Sequence, residues 1–262
     1  MDIRLKDEFT GRMAALYIDK GDLLNAPEFS RELHVLLKDL SGNDDPYRAS
    51  KKKYNDIGLS LYNSLKETVK NSADSFATAL HLAVAGNIID FGAHDTFDIH
   101  DTIDQVLNTD FAVDHSDYLK KPVEEAGSIL YIGDNAGEIV FDKLFIEILN
   151  HRKVIYAVRG APIINDVTLE DASYIGMHDV AKVISNGYDA PSTIIEKCSA
   201  EFRDAFNKAD LVISKGQGNL EGLLEVKEKK IFFMLMAKCG VIADLLKVRK
   251  GDFVALYNMF LK

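Results

Sequence analysis

Residues 128–150 read SILYIGDNAGEIVFDKLFIEILN. An apolar run, Ile129 to Ile132, ends in Gly133-Asp134-Asn135-Ala136-Gly137-Glu138. Apolar residues at helical spacing follow at once, in Ile139, Val140, Phe141, Leu144, Ile148 and Leu149. A short buried strand that feeds directly into a helix is half of a βαβ unit. Two glycines and two oxygen-bearing side chains fill the turn between them, where a core connection would need neither.

The same alternation recurs downstream. Short apolar runs at Lys153–Val158, Ala181–Ser185, Leu211–Ser214, Lys230–Leu235 and Phe253–Tyr257 are separated by helical stretches. Strands spaced in this way predict an α/β fold with a doubly wound, mostly parallel sheet, a Rossmann-like portion spanning residues 125–262. Residues 1–124 differ in character. LHVLLKDL and IGLSLYNSLKETVKNSADSFATALHLAVAGNIID carry apolar residues three and four apart with little alternation, which predicts an α-helical N-terminal portion. Asp45-Pro46 predicts a helix start, and Pro27 another. No repeat or low-complexity linker separates the portions, so a shared interface is expected.

The 262 residues carry a formal net charge of −10, with 47% hydrophobic and 27% charged residues, and a sequence pI near 5.2. Nucleic-acid binding leans on basic surface, so this balance argues against it. The one basic run, Lys51-Lys52-Lys53, reads as a solvated helix face. No stretch approaches the roughly 18–20 apolar residues of a membrane span, and the charged N-terminus lacks the apolar segment of a secretory signal. Cys198 and Cys239 are the only cysteines, and both read as reduced, small core residues. A cytoplasmic protein is the expectation.

In an open parallel sheet, ligands sit at the carboxyl ends of strands. The Gly133–Glu138 turn lies at such an end. Asp134 and Asn135 are hard oxygen donors suited to Mg²⁺, Mn²⁺ or Ca²⁺, or else helix caps. Asn165-Asp166 follows the next strand, and Asp166 lies 32 residues after Asp134, close to one βαβ repeat. If the two strands are neighbours, both carboxylates can share one cation; the competing use of Asp166 is to cap a helix starting near Val167. Lys215-Gly216-Gln217-Gly218-Asn219 follows a third strand and suits a phosphate, with the backbone around Gly216 to Asn219 as donors. Arg159 stands just past its strand, at a phosphate or on the surface. Glu138 is placed to favour the helix dipole and to support the turn. His94, Asp95, Asp98, His100 and Asp101 cluster in GAHDTFDIHD, in a spacing that acidic helix starts explain better than zinc.

Gly133-Asp134-Asn135-Ala136-Gly137-Glu138, Asn165-Asp166 and Lys215-Gly-Gln-Gly-Asn219-Leu-Glu221 together resemble the damage-control phosphatase family, long catalogued as a domain of unknown function. Asp45-Pro46-Tyr47, Gly86-Asn87-Ile88-Ile89-Asp90 and MAKCGVIADLLKVRKGDFV near the end add to the likeness, which runs from about residue 45 onward. The resemblance implies a metal-dependent phosphatase of small phosphorylated metabolites, with a divalent ion (Mg, Mn, Co or Ni). It implies that Asp134, Asn135 and Asp166 hold the metal, that Lys215 binds phosphate, and that Asn87 and Asp90 approach from the helical portion, with Asn165 in support. The attacking group is open between water and a carboxylate such as Asp134. A CxxC pair found near the start of small microbial members is missing, which leaves subgroup and substrate open. Two other functions stand beside this one: an S-adenosylmethionine-dependent carboxyl methyltransferase, and a non-catalytic metal- or nucleotide-binding module. A haloacid-dehalogenase-type phosphatase would need Asp-x-Asp, which Asp134-Asn135-Ala136 does not supply.

Overall fold

The computed structural model describes residues 3–86 and 107–261. Among the described residues seven strands form one sheet: β1 (Val113–Asp114), β2 (Ile129–Ile132), β3 (Val154–Val158), β4 (Lys182–Ser185), β5 (Leu211–Lys215), β6 (Ile231–Met236) and β7 (Phe253–Tyr257). Their order is β1-β7-β6-β5-β2-β3-β4. The run from β4 to β6 is parallel; β7 lies antiparallel to β6, and β1 pairs parallel with β7. The six expected strands are present, each bound within one residue of its expected position. β1 was not foreseen and lies in the portion read as helical, because two residues carry no periodicity to read.

The α-helices of the described residues are α1 (Ile3–Lys20), α2 (Ala26–Ser41), α3 (Arg48–Asn71), α4 (Ser75–Ala85), α5 (Asp117–Glu125), α6 (Glu138–Leu149), α7 (Leu169–Tyr174), α8 (Ala200–Lys208), α9 (Gln217–Leu223) and α10 (Gly240–Leu246). Asn25 caps α2 by accepting from Glu28 N, with Pro27 in the first turn. Asp45-Pro46 forms a turn rather than the cap itself. Asp45 Oδ1 accepts from Tyr47 N, and α3 begins at Arg48. The long pattern through residues 57–90 is broken at Ser72, and Asp74 caps α4 through Phe76 N and Ala77 N.

Alternation along the strands builds two cores. Ile129 and Tyr131 of β2 face one layer, with Leu61 and Leu65 of α3, Leu80 and Val84 of α4, and Phe141 and Phe145 of α6. Leu130 and Ile132 face the other, with Phe202 of α8, Leu220 of α9 and Ile242 of α10. Of the N-terminal helices, α3 and α4 therefore share the core of the sheet's first face. Gly58 lets α3 approach α6 closely, since a Cβ there would come within 2.9 Å of Val140 Cγ2.

The basic run on α3 is only partly solvated. Lys51 is buried, and its ammonium meets Asp45 at 3.0 Å and Asp171 at 3.1 Å. The expectation of a wholly solvated face fails because Asp171, at the start of α7, takes up Lys51 and Asn55 together. Among the described residues no helix is long and apolar enough to cross a membrane. Cys198 is buried, but Cys239 is half-buried ahead of α10, where Gln217 Nε2 reaches its sulfur.

Chain order decides where a ligand can sit. From β2 the chain winds outward through β3 and β4, then returns to β5 on the opposite side of β2. The crevice at this reversal opens at the carboxyl ends of β2 and β5. The Gly133–Glu138 and Lys215–Asn219 turns both lie there.

Candidate functional site

β2 and β3 are neighbours in register, Ile132 opposite Ala157, so their following turns leave the sheet side by side. Val167 N donates to Asp134 O and Ala136 N to Asn165 O, both at 2.8 Å, making an antiparallel bridge between Asn135 and Asp166. This bridge brings the Asp134 and Asp166 carboxylates to one guanidinium. Arg159 Nε donates to Asp166 Oδ2 at 2.5 Å, and Nη2 lies 3.7 Å from Asp134 Oδ1.

The capping alternatives do not hold. The residue ahead of α6 is Gly137, whose N–H donates to Asn55 Oδ1 at 2.7 Å. Thr168 stands at the start of α7, and its N and Oγ1 donate to Asp171 Oδ2. Asp134, Asn135 and Asp166 thus cap no helix. Asn135 Nδ2 donates to Asp134 Oδ2 (2.7 Å) and Glu138 Oε2 (3.1 Å), which leaves Oδ1 as the acceptor end of the amide.

Of the side chains expected at the phosphate, Lys215 and Asn219 are turned elsewhere, and Arg159 is held between the carboxylates. Lys215 is the last residue of β5 and shares a face with Ile213, toward α4 and α6. Its ammonium is fully buried and donates to Ala83 O (2.7 Å), Asp142 Oδ1 (2.6 Å) and Glu138 Oε1 (2.5 Å). Asn219 Nδ2 donates to Gly133 O and Lys215 O, while Oδ1 accepts from Thr193, so this amide clamps β2 to β5. Arg159 is buried between the carboxylates, with Nη1 on Thr193 Oγ1. Its Nη2 has no hydrogen-bond partner among the described residues. Gly216 does lie at the site, at φ +79°, with Asp134 pressed against it. Asn165 meets the site through its carbonyl. Asn87 and Asp90 lie outside the described residues, as does the His94–Asp101 cluster.

At Gly216 an added Cβ would overlap the Asp134 carboxylate in a backbone conformation that suits glycine. Gly216→Ala is therefore expected to cost about 2–4 kcal/mol. Thermal unfolding would register this as a fall of roughly 5–10 °C; an unchanged melting temperature would mean that Asp134 is not held there.

Four buried carboxylates (Asp134, Glu138, Asp142 and Asp166) meet two buried cations, Arg159 and Lys215. Burial, then the charges of Asp166 and Glu138, push Asp134 up to about 8, against Lys238 and Arg159. Burial also raises Asp166, with Arg159 the main opposing charge. Lys238, half-buried just past β6, carries a charge felt by both, and sequence reasoning assigned it no role. Glu138, expected as a support, is fully buried between Lys215 and Asn135.

Because Asp134 binds its proton more tightly folded than unfolded (about 3.9 in a free chain), its stabilising contribution is complete below pH ~4. It is lost as the pH rises toward the folded value of about 8. In chelator, the melting temperature is expected to fall by about 10 °C between pH 5 and 9. A profile that rises over this range in differential scanning calorimetry would contradict the assignment.

The excess of buried negative charge fits a divalent cation, and the donors are hard oxygens. Among the described residues no group of three or more His, Cys, Asp or Glu is set to hold a metal ion. The set here is two carboxylates and an amide.

A family model described as the damage-control phosphatase ARMT1-like domain matches residues 3–254. Damage-control phosphatase PH1575 of Pyrococcus horikoshii is 39% identical over 223 residues, covering 84% of this chain and 77% of that one. A damage-control phosphatase of Archaeoglobus fulgidus is 32% identical over 240 residues, covering 85% and 79%. An uncharacterized protein of Methanocaldococcus jannaschii is 38% identical over 234 residues, covering 86% and 77%. The crystal structure of a DUF89 family protein from Pyrococcus horikoshii superposes with a TM-score of 0.89 at 34% identity, over 98% of this chain and 91% of that one. Sequence, fold and the strand-end turns agree, and the chain belongs to the damage-control phosphatase ARMT1-like family.

Proposed function

We propose that the chain is a metal-dependent phosphatase that hydrolyses small phosphorylated metabolites at the carboxyl ends of β2, β3 and β5. The observation that carries this reading is the pairing of the buried Asp134 and Asp166 carboxyl groups, joined by a bridge between their turns. Asp134, Asp166 and Asn135 Oδ1 would hold the divalent cation, which supplies charge neutralisation for a phosphoryl group when bound.

The chain's own groups do the positioning. Arg159 Nη2, with a donor to spare, takes a phosphate oxygen while Nε keeps Asp166 in place. Lys238 adds positive charge from the end of β6. Gly216 leaves room for the Asp134 carboxylate itself, and the first N–H groups of α9 face the same end of the sheet. Lys215 acts from below, as the counter-charge of Glu138 and Asp142. Asn87 and Asp90 are carried over from the family likeness alone, as substrate-binding residues.

Release of p-nitrophenol from p-nitrophenyl phosphate should require Mn²⁺, Mg²⁺, Co²⁺ or Ni²⁺ and stop in EDTA. No hydrolysis of this ester, nor of a panel of phosphorylated metabolites, with any of the four ions would refute the proposal. So would activity that survives chelation.

A further inference from the structure

Beneath the site lies a second set of polar groups, enclosed in the first core. Asp142 stands one turn beyond Glu138 on α6 and is fully buried. Its Oδ1 accepts from Tyr131 OH at 2.7 Å and Lys215 Nζ at 2.6 Å, and its Oδ2 accepts from Tyr156 OH at 2.8 Å. The two tyrosines are paired across β2 and β3, with ring centroids 5.4 Å apart. Even Gly133 answers to this set, because a Cβ there would overlap the Tyr156 hydroxyl.

A buried carboxylate–lysine–carboxylate triad is a weak source of stability, since apolar residues of the same volume serve as well or better. What distinguishes this one is where it leads. Asp142 holds Lys215; Lys215 holds Glu138 Oε1; Glu138 Oε2 holds Asn135 Nδ2; and the same Nδ2 reaches Asp134. The contacts run unbroken from the core to the residues read above as cation donors.

We propose that Asp142 is a positioning residue: anchored by Tyr131 and Tyr156, it fixes Lys215, and through Lys215 and Glu138 it sets the Asn135 amide beside Asp134. Outer partners of this kind orient metal-holding groups, and losing one weakens metal binding roughly 10- to 100-fold. The inference rests on the phosphatase reading of the site but concerns a residue that touches neither substrate nor cation.

The test uses the full chain with Asp142→Asn, which keeps the side-chain shape and one oxygen to accept from a tyrosine hydroxyl while removing the negative charge that faces Lys215. Mn²⁺ alone, titrated by calorimetry, should bind roughly tenfold more weakly. At saturating Mn²⁺, kcat for p-nitrophenyl phosphate should fall roughly tenfold with KM within about twofold. Tyr156→Phe keeps the Asp142 charge and removes one anchor, so it should shift Mn²⁺ affinity in the same direction by a smaller factor. Unchanged Mn²⁺ affinity in Asp142→Asn overturns the proposal, and if that variant does not fold, unchanged affinity in Tyr156→Phe overturns it. A wild-type chain that binds Mn²⁺ but hydrolyses no phosphate ester defeats the phosphatase reading alone, because the affinities still decide the role of Asp142. A wild-type chain that binds no Mn²⁺ defeats both.

Discussion

Asp134→Asn is expected to lower metal-dependent kcat roughly a thousandfold, about 4 kcal/mol of transition-state stabilisation, without lowering the melting temperature. The substitution is isosteric, so the space beside Gly216 and the contact with Asn135 Nδ2 can both be kept. What disappears is the ability to take a negative charge beside Asp166 and Glu138, which with burial push Asp134 up to about 8. In metal-free protein near pH 7 Asp134 is therefore largely protonated and the neutral amide replaces it at little cost, while above pH 8 the substitution removes a repelled charge. The signature is therefore a split: activity gone, stability held or raised. Phosphate-release kinetics and calorimetry on the same preparation read both. Activity within tenfold of wild type would remove Asp134 from the site, while a large drop in melting temperature would make it a structural residue.

Lys215→Met should act the other way round. Methionine fills much of the same volume, but the three acceptors of the ammonium lose their donor together. Glu138 and Asp142 are left as facing carboxylates with no water to solvate them. Burial already lowers the tendency of Lys215 to carry charge, yet Asp142 and Glu138 hold it above its ordinary range, which shows how strongly the three depend on one another. Stranding buried charge in this way costs about 3–5 kcal/mol. Chemical unfolding should report that loss, and the melting temperature should fall on the order of 10 °C. If Lys215 served chiefly as a phosphate ligand, the variant would instead raise KM at unchanged stability. Measuring both separates the two roles.

Asp134 and Asn135 stood out in the sequence because they interrupt an apolar pattern one glycine after Ile132, and Asp166 because it lies with Asn165 in the turn after the next strand. Their gathering depended on β2 and β3 being neighbours, which a 32-residue spacing foreshadows and the register bears out. Lys215 was legible as a residue of interest but not in its direction. The sequence puts it beside Gly216, whereas strand alternation turns it down toward α4 and α6. Lys51 misled for a related reason, since a basic run looks solvated until a distant acid, Asp171, is known to lie beneath it.

Asp142, Tyr131 and Tyr156 left no trace, because each sits inside an apolar stretch and reads as core. The sequence by itself determined the α/β class, every strand but β1, and which strand ends carry oxygen donors, because local periodicity and turn composition are properties of consecutive residues. Only the tertiary structure decided which buried charges meet. Lys215 finds Asp142 and Glu138 from 73 and 77 positions away, and in a low-dielectric interior such pairs are set by sheet order and helix docking rather than by anything adjacent in the chain.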